Sequence, residues 1–207
     1  MARLTSLDDL RRALGQPRET TRAKILPALD AQAADFVRTA PFAVLATTSA
    51  EGVVECSPKG DAPGFVRIEN ERTLLMPDRP GNNLAFGLEN ILATGRVGLI
   101  FLRPQTGETL RVTGRAEIFD DPDLLAMLGT DERPALLAIR IHVERCYFHC
   151  ARAVLRAKLW APESWPAPAR VSFGAIIAPR VGGDAEMAQA IDARIGVGYT
   201  TNLWRNA

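Results

Sequence analysis

Between Glu108 and Phe119 the chain alternates without a break. Leu110, Val112, Gly114, Ala116 and Ile118 take one side, and Arg111, Thr113, Arg115 and Glu117 take the other. A two-residue period belongs to a β-strand with one face in a core and one face out. Such a strand cannot stand alone, because its backbone N–H and C=O groups need neighbours to pair with. Gly114 in the middle of it points to a bulge, a bend or close approach by another group.

The neighbours are readable on both sides. Phe42 to Thr48 is a compact strand, Ala50-Glu51-Gly52 a turn and Val53 to Ser57 the return strand of a hairpin. After the Pro63-Gly64 turn, Phe65 to Ile68 and Thr73 to Met76 form a second hairpin. Arg96 to Arg103 is strongly apolar and turns at Pro104-Gln105-Thr106-Gly107 into the alternating strand. Ala135 to Phe148 is the last long strand. Helices are fewer. Ser6 caps an apolar stripe of Leu7, Leu10 and Leu14 that ends at Gly15 and Pro17. Further helices are expected over Asp30 to Thr39, Asn82 to Leu92, Asp121 to Leu128, near Ala151 to Leu159, and over Ala185 to Ile195. Six or seven strands with turn-rich links favour a mainly β fold, a small antiparallel barrel with peripheral helices.

At 207 residues and 47% hydrophobic, the chain suits one globular domain. A net charge of +1 argues against a broad nucleic-acid surface. Three cysteines, Cys56, Cys146 and Cys150, are too few for a disulfide scaffold. The first ten residues hold no apolar core of signal-peptide length, and Val97 to Leu102 is too short to span a bilayer. A cytoplasmic protein with no membrane or nucleic-acid partner is therefore expected.

Chemistry concentrates between Ser57 and Asn83. Ser57-Pro58-Lys59-Gly60-Asp61 is followed by Pro77-Asp78-Arg79-Pro80-Gly81-Asn82-Asn83, just ahead of a helical pattern. Lys59 and Arg79 are cations, Ser57 a hydroxyl and Asn82 a candidate cap. Unpaired N–H groups at a helix start favour an anion, and a phosphate carries close to two charges at neutral pH. Taken alone, the pattern equally fits an ordinary basic turn.

Taken in order along the chain, these two segments, Pro63-Gly64-Phe65, Thr109-Leu110-Arg111-Val112-Thr113-Gly114-Arg115-Ala116 and Phe148-His149-Cys150-Ala151 resemble a known family. It is the pyridoxamine 5′-phosphate oxidase-like FMN-binding family, in its branch of FMN-dependent enzymes without an assigned substrate. The resemblance covers roughly Phe36 to Trp160. It implies a six-stranded antiparallel split β-barrel that forms a homodimer, with FMN in clefts between subunits. The barrel would be residues 36–160, with a helical extension over 1–35 and a linker and helix over 161–207. The implied cofactor contacts are Ser57, Lys59, Met76, Arg79, Asn82, Asn83, Thr109, Arg111, Lys158 and Trp160, some from the partner chain. The implied activity is oxidation or reduction of a small molecule. The same fold also hosts flavin carriers and binders of deazaflavin F420 or haem. The chain departs from the vitamin-processing oxidases at Asn82-Asn83, where those enzymes place a basic pair, and in a tail without their substrate-binding arginine and histidine.

Two other groupings have plainer readings. On one extended strand His142, Cys146 and Cys150 share a face but are spaced about 13 Å apart, too far to share an ion. Buried thiols and a hydrogen-bonded histidine are expected instead, Cys56 included. Trp160, Trp165 and Trp204 are expected to pack in a core or an interface.

Overall fold

The structure, a computed structural model, describes residues 3–201, 203 and 204. Three helices precede the sheet: α1 (Leu7–Leu14), α2 (Glu19–Ala23) and α3 (Ala31–Thr39). Then follow β1 (Phe42–Thr48), β2 (Val54–Gly60), β3 (Arg67–Asn70), β4 (Thr73–Asp78), α4 (Phe86–Thr94), β5 (Arg96–Leu102) and β6 (Thr109–Phe119). The chain continues through α5 (Pro122–Leu128), β7 (Leu137–His149), α6 (Arg152–Arg156), α7 (Phe173–Ile177) and α8 (Ala185–Thr201). No helix among the described residues is long and apolar enough to cross a membrane.

All the strands join one antiparallel sheet of seven, in the order β2-β1-β5-β6-β7-β4-β3. This corrects the six-stranded barrel. The short β3 pairs only with β4 and adds a strand, while β2 pairs only with β1, so the sheet stays open between these two edges. Pro58 on β2 has no N–H to offer a further strand.

The open sheet nevertheless wraps one core. Leu45 of β1 and Leu74 and Met76 of β4 stand far apart in the strand order, yet share a cluster with Leu99, Phe101 and Leu110. Phe36 and Val37 of α3 close one side and Ile91 of α4 another. Each such side chain contributes roughly 1.5–3 kcal/mol when fully buried. Leu75, Ala138 and Leu128 form a smaller cluster under α5.

The alternation of β6 is as expected, with Leu110, Val112, Gly114 and Ala116 buried. Gly114 marks a register shift against β7, where Thr113 pairs with Arg145 but Gly114 with Val143. A Cβ there would collide with the carbonyl oxygen of His142. Cys146 of β7 is buried, and its thiol donates to the Ala28 carbonyl at 2.9 Å. Burial first, and then the Asp30 charge, push that thiol above its ordinary pKa, so it stays protonated. His142 lies 3.4 Å from Glu117. Cys56 and Cys150, by contrast, are exposed, which overturns the expected burial of all three thiols.

Helix boundaries shift where side-chain pattern and backbone geometry disagree. The helix expected from Asn82 begins at Phe86, because Asn83 and Ala85 take positive φ values of 58° and 55°. The terminal helix runs on to Thr201 rather than stopping at Ile195. α7 was not expected from sequence; it packs on α8, with the Gly174 and Ser172 region held by Asp192.

Gly114→Ala should lower stability by about 2–3 kcal/mol, since backbone must move to admit the methyl group. Denaturant unfolding reads this directly, and an unchanged midpoint would show that the bulge has room.

Candidate functional site

The loop from β4 to α4 lies against the inner face of β2. Register decides which β2 side chains meet it. Ser57 pairs with Leu45 and Lys59 with Ala43, so both point to the same side as those buried residues. α4 is seated by a buried hydrogen bond in which Asn90 Nδ2 donates to Thr47 Oγ1 at 3.1 Å. Thr94 Oγ1 adds a bond to the Thr48 carbonyl at 2.9 Å.

Between β2 and the start of α4 is a cavity of about 460 Å³. Ser57, Lys59, Arg79, Asn82 and Asn83 all line it, so half of the expected contact set comes together in one chain. Phe86 and Gly87 of the first helical turn line it too. The N-cap of α4, Ala85, has no side-chain oxygen to accept their N–H groups. Gly87 leaves space beside Ser57, whose Oγ would stand 3.6 Å from a Cβ at that position. Asn82 does not cap the helix; its Oδ1 accepts from Leu84 N at 3.1 Å. An uncapped helix start facing a cavity lined by Ser57, Lys59 and Asn82 is a place for an anion.

The cations are not free, however. Arg79 gives Asp61 Oδ2 two hydrogen bonds, at 3.0 Å from Nε and 2.7 Å from Nη2, and its Nη1 donates to the Arg133 carbonyl at 2.8 Å. The Asp61 side chain is only 4% exposed and also holds Arg133 at 3.3 Å. Lys59 Nζ is 2.5 Å from Asp78 Oδ1. Arg79 commits three of its five N–H donors to shaping the loop, and Lys59 commits one of its three to Asp78. Asp61 and Asp78 stood in the sequence motif, yet nothing in a linear pattern marks them as partners of these cations.

The other expected contacts lie elsewhere. Met76 is fully buried in the core rather than on the cavity wall. Thr109 and Arg111 are on the outer face of β6, paired with His149 and Tyr147. Arg111 Nε is buried with no partner among the described residues. Burial first, and then the Arg111 and Lys24 charges, hold the His149 imidazole below its usual pKa, so it is neutral at neutral pH. Trp160 donates its indole N–H to the Thr106 carbonyl at 2.8 Å, at the β5–β6 turn. Lys158 precedes it with φ 49°.

The left-handed backbone at Ala85 is strained, since it presses Cβ toward a carbonyl. Ala85→Gly should raise stability by about 1 kcal/mol, as glycine adopts this conformation freely. Thermal unfolding checks it; a loss of stability would mean the methyl group packs usefully.

A family model described as pyridoxamine 5′-phosphate oxidase matches residues 29–150. No curated protein matches the chain. Among solved structures, HupZ of Group A Streptococcus is 19% identical, covering 58% of this chain and 93% of that one, with a TM-score of 0.47. Rv2991 of Mycobacterium tuberculosis is 19% identical, covering 73% and 97%, with a TM-score of 0.46. An FMN-binding protein of Syntrophomonas wolfei subsp. wolfei is 10% identical, covering 69% and 95%, with a TM-score of 0.45. The matched family segment takes in β1 to β7 with the cavity between β2 and α4, and the chain belongs to the pyridoxamine 5′-phosphate oxidase family.

Proposed function

We propose that this chain is an FMN-dependent oxidoreductase acting on a small molecule, with the cofactor phosphate held at the start of α4. The observation that carries this reading is the uncapped first turn of α4, open to a cavity shared with Ser57, Lys59 and Asn82. Phe86 and Gly87 supply N–H groups and the helix dipole favours negative charge there. Lys59 supplies the cation with donors to spare. Arg79 acts as a positioning residue, fixing the loop through Asp61. When bound, FMN supplies the electron-accepting ring, and the chain's task is to hold and orient it.

The reading includes a homodimer with the site at its interface. The outer face of the sheet supports the dimer itself. Phe42 and Val44 of β1 stand there with Ile100 and Leu102 of β5, an apolar patch next to Arg111 and Thr109 of β6. Phe42 is 38% and Ile100 36% exposed, so the face is open. A second copy seated on it would cover this patch beside Thr109 and Arg111. Residues 36–160 form the cofactor-holding part of a single domain in this reading.

Purified protein should carry a flavin absorption spectrum, or acquire one on titration with FMN. A colourless protein that leaves FMN fluorescence unquenched would overturn the reading, and a deazaflavin or haem spectrum would replace it. Lys59→Met should weaken FMN by about tenfold while leaving riboflavin nearly unchanged, as expected for loss of one charge-assisted hydrogen bond. Equal losses for both would remove Lys59 from the phosphate. Ile100→Glu should turn a dimer into a monomer in light scattering and release the flavin. A monomeric parent protein would contradict the interface.

A further inference from the structure

The cavity at α4 has a neighbour. A second cavity of about 500 Å³ shares Ser57, Lys59, Arg79 and Asn82 with it. Its far wall is built from Phe65, Pro77 and Pro80 with Leu203 and Trp204 from the C-terminal segment. Both lobes mix polar and apolar surface; the first offers the N–H groups of the α4 start to a phosphate, and the second, where the Phe65 and Trp204 rings stand, suits something flat.

The C-terminal arm that brings Trp204 here packs mainly on itself, α7 against α8. Its tip is held by a specific contact. The Arg133 guanidinium lies over the Trp204 ring, 4.9 Å from its centroid. A cation over an indole face is attracted by the ring quadrupole. Arg133 also bonds Asp61, which in turn grips Arg79 on the shared wall of both cavities. The same carboxylate thus orders the loop at the phosphate lobe and the arginine under the arm.

We propose that Trp204 is a ligand-binding wall of the site, held over the second lobe by Arg133, and that it stacks on the ring portion of the ligand whose phosphate sits at α4. This rests on the flavin reading above. It adds a role for a C-terminal segment outside the matched residues 29–150.

The test titrates FMN and riboflavin separately into the wild-type chain, Trp204→Ala and Trp204→Phe. Loss of a stacking ring should weaken both ligands by about tenfold, because both carry the ring system. Trp204→Phe should keep most of the affinity. An Ala variant that binds both flavins as well as the wild type, or that loses only FMN, would overturn the proposal. A second readout needs no flavin. The emission difference between wild type and Trp204→Phe isolates the Trp204 signal. Arg133→Met should shift it to longer wavelength and make it easier to quench with acrylamide. An unchanged signal would overturn the Arg133 anchor. Failure of the wild-type chain to bind either flavin would count against the flavin reading, and the emission measurement would still decide whether Arg133 holds the arm.

Discussion

Asp61 holds two guanidinium groups at once, and much of the site is arranged around it. It sits just past β2, yet binds Arg79 from the β4–α4 loop and Arg133 from the α5–β7 loop. Its side chain is nearly sealed from water, at 4% exposure. Removing one partner from a buried pair costs about 3–5 kcal/mol, because the remaining charge loses its compensation. These loops are far apart in sequence and are pinned together at one carboxylate. Through Arg133 the same carboxylate also reaches Trp204.

That arrangement changes how an anion would be recognised. Free cations would attract any phosphate but would also repel one another in an empty site. Here Arg79 and Lys59 are each matched by a carboxylate, so the donors left for an anion are the backbone N–H groups at the start of α4 together with the remaining Lys59 N–H groups. Such donors are fixed in place by the helix, and α4 is fixed by the buried Asn90–Thr47 bond. The strained backbone at Asn83 and Ala85 aims the chain into the helix from the cavity side. Strain of this kind persists where surrounding structure over-determines it, and it gathers at binding sites.

The strands were legible because a two-residue period survives in a linear string. The Leu110 to Ala116 face follows from it, the two hairpins from turn residues between strand runs, and the Gly114 irregularity from a glycine inside a strand. The open edge between β2 and β3 was not legible, since closure depends on how far the sheet curls, which no local pattern encodes. The start of α4 was misplaced because apolar spacing continues through Leu84 while the backbone at Asn83 and Ala85 does not. In the site, the residue types of Ser57, Lys59, Arg79, Asn82 and Asn83 marked the right stretch. Their pairing did not show, because Asp61, Asp78 and Arg133 become partners only when separate loops meet. Met76 belongs to the core and not to the cavity, since it stands buried on the inward side of β4 beside its register partner Ile139. Trp204 gave no signal beyond being a tryptophan; its position emerges only from the return of the C-terminal arm.

The central claim is that the start of α4 is a phosphate site. Its most direct measurement is the ratio of FMN to riboflavin affinity for the unmodified protein, taken by calorimetry at one ionic strength. The two ligands differ only in the phosphate, so the ratio isolates that group. The expected result is FMN bound at least about tenfold more tightly, in line with charge-assisted bonds to Lys59 and the helix N–H groups. Equal affinity for the two would contradict the account.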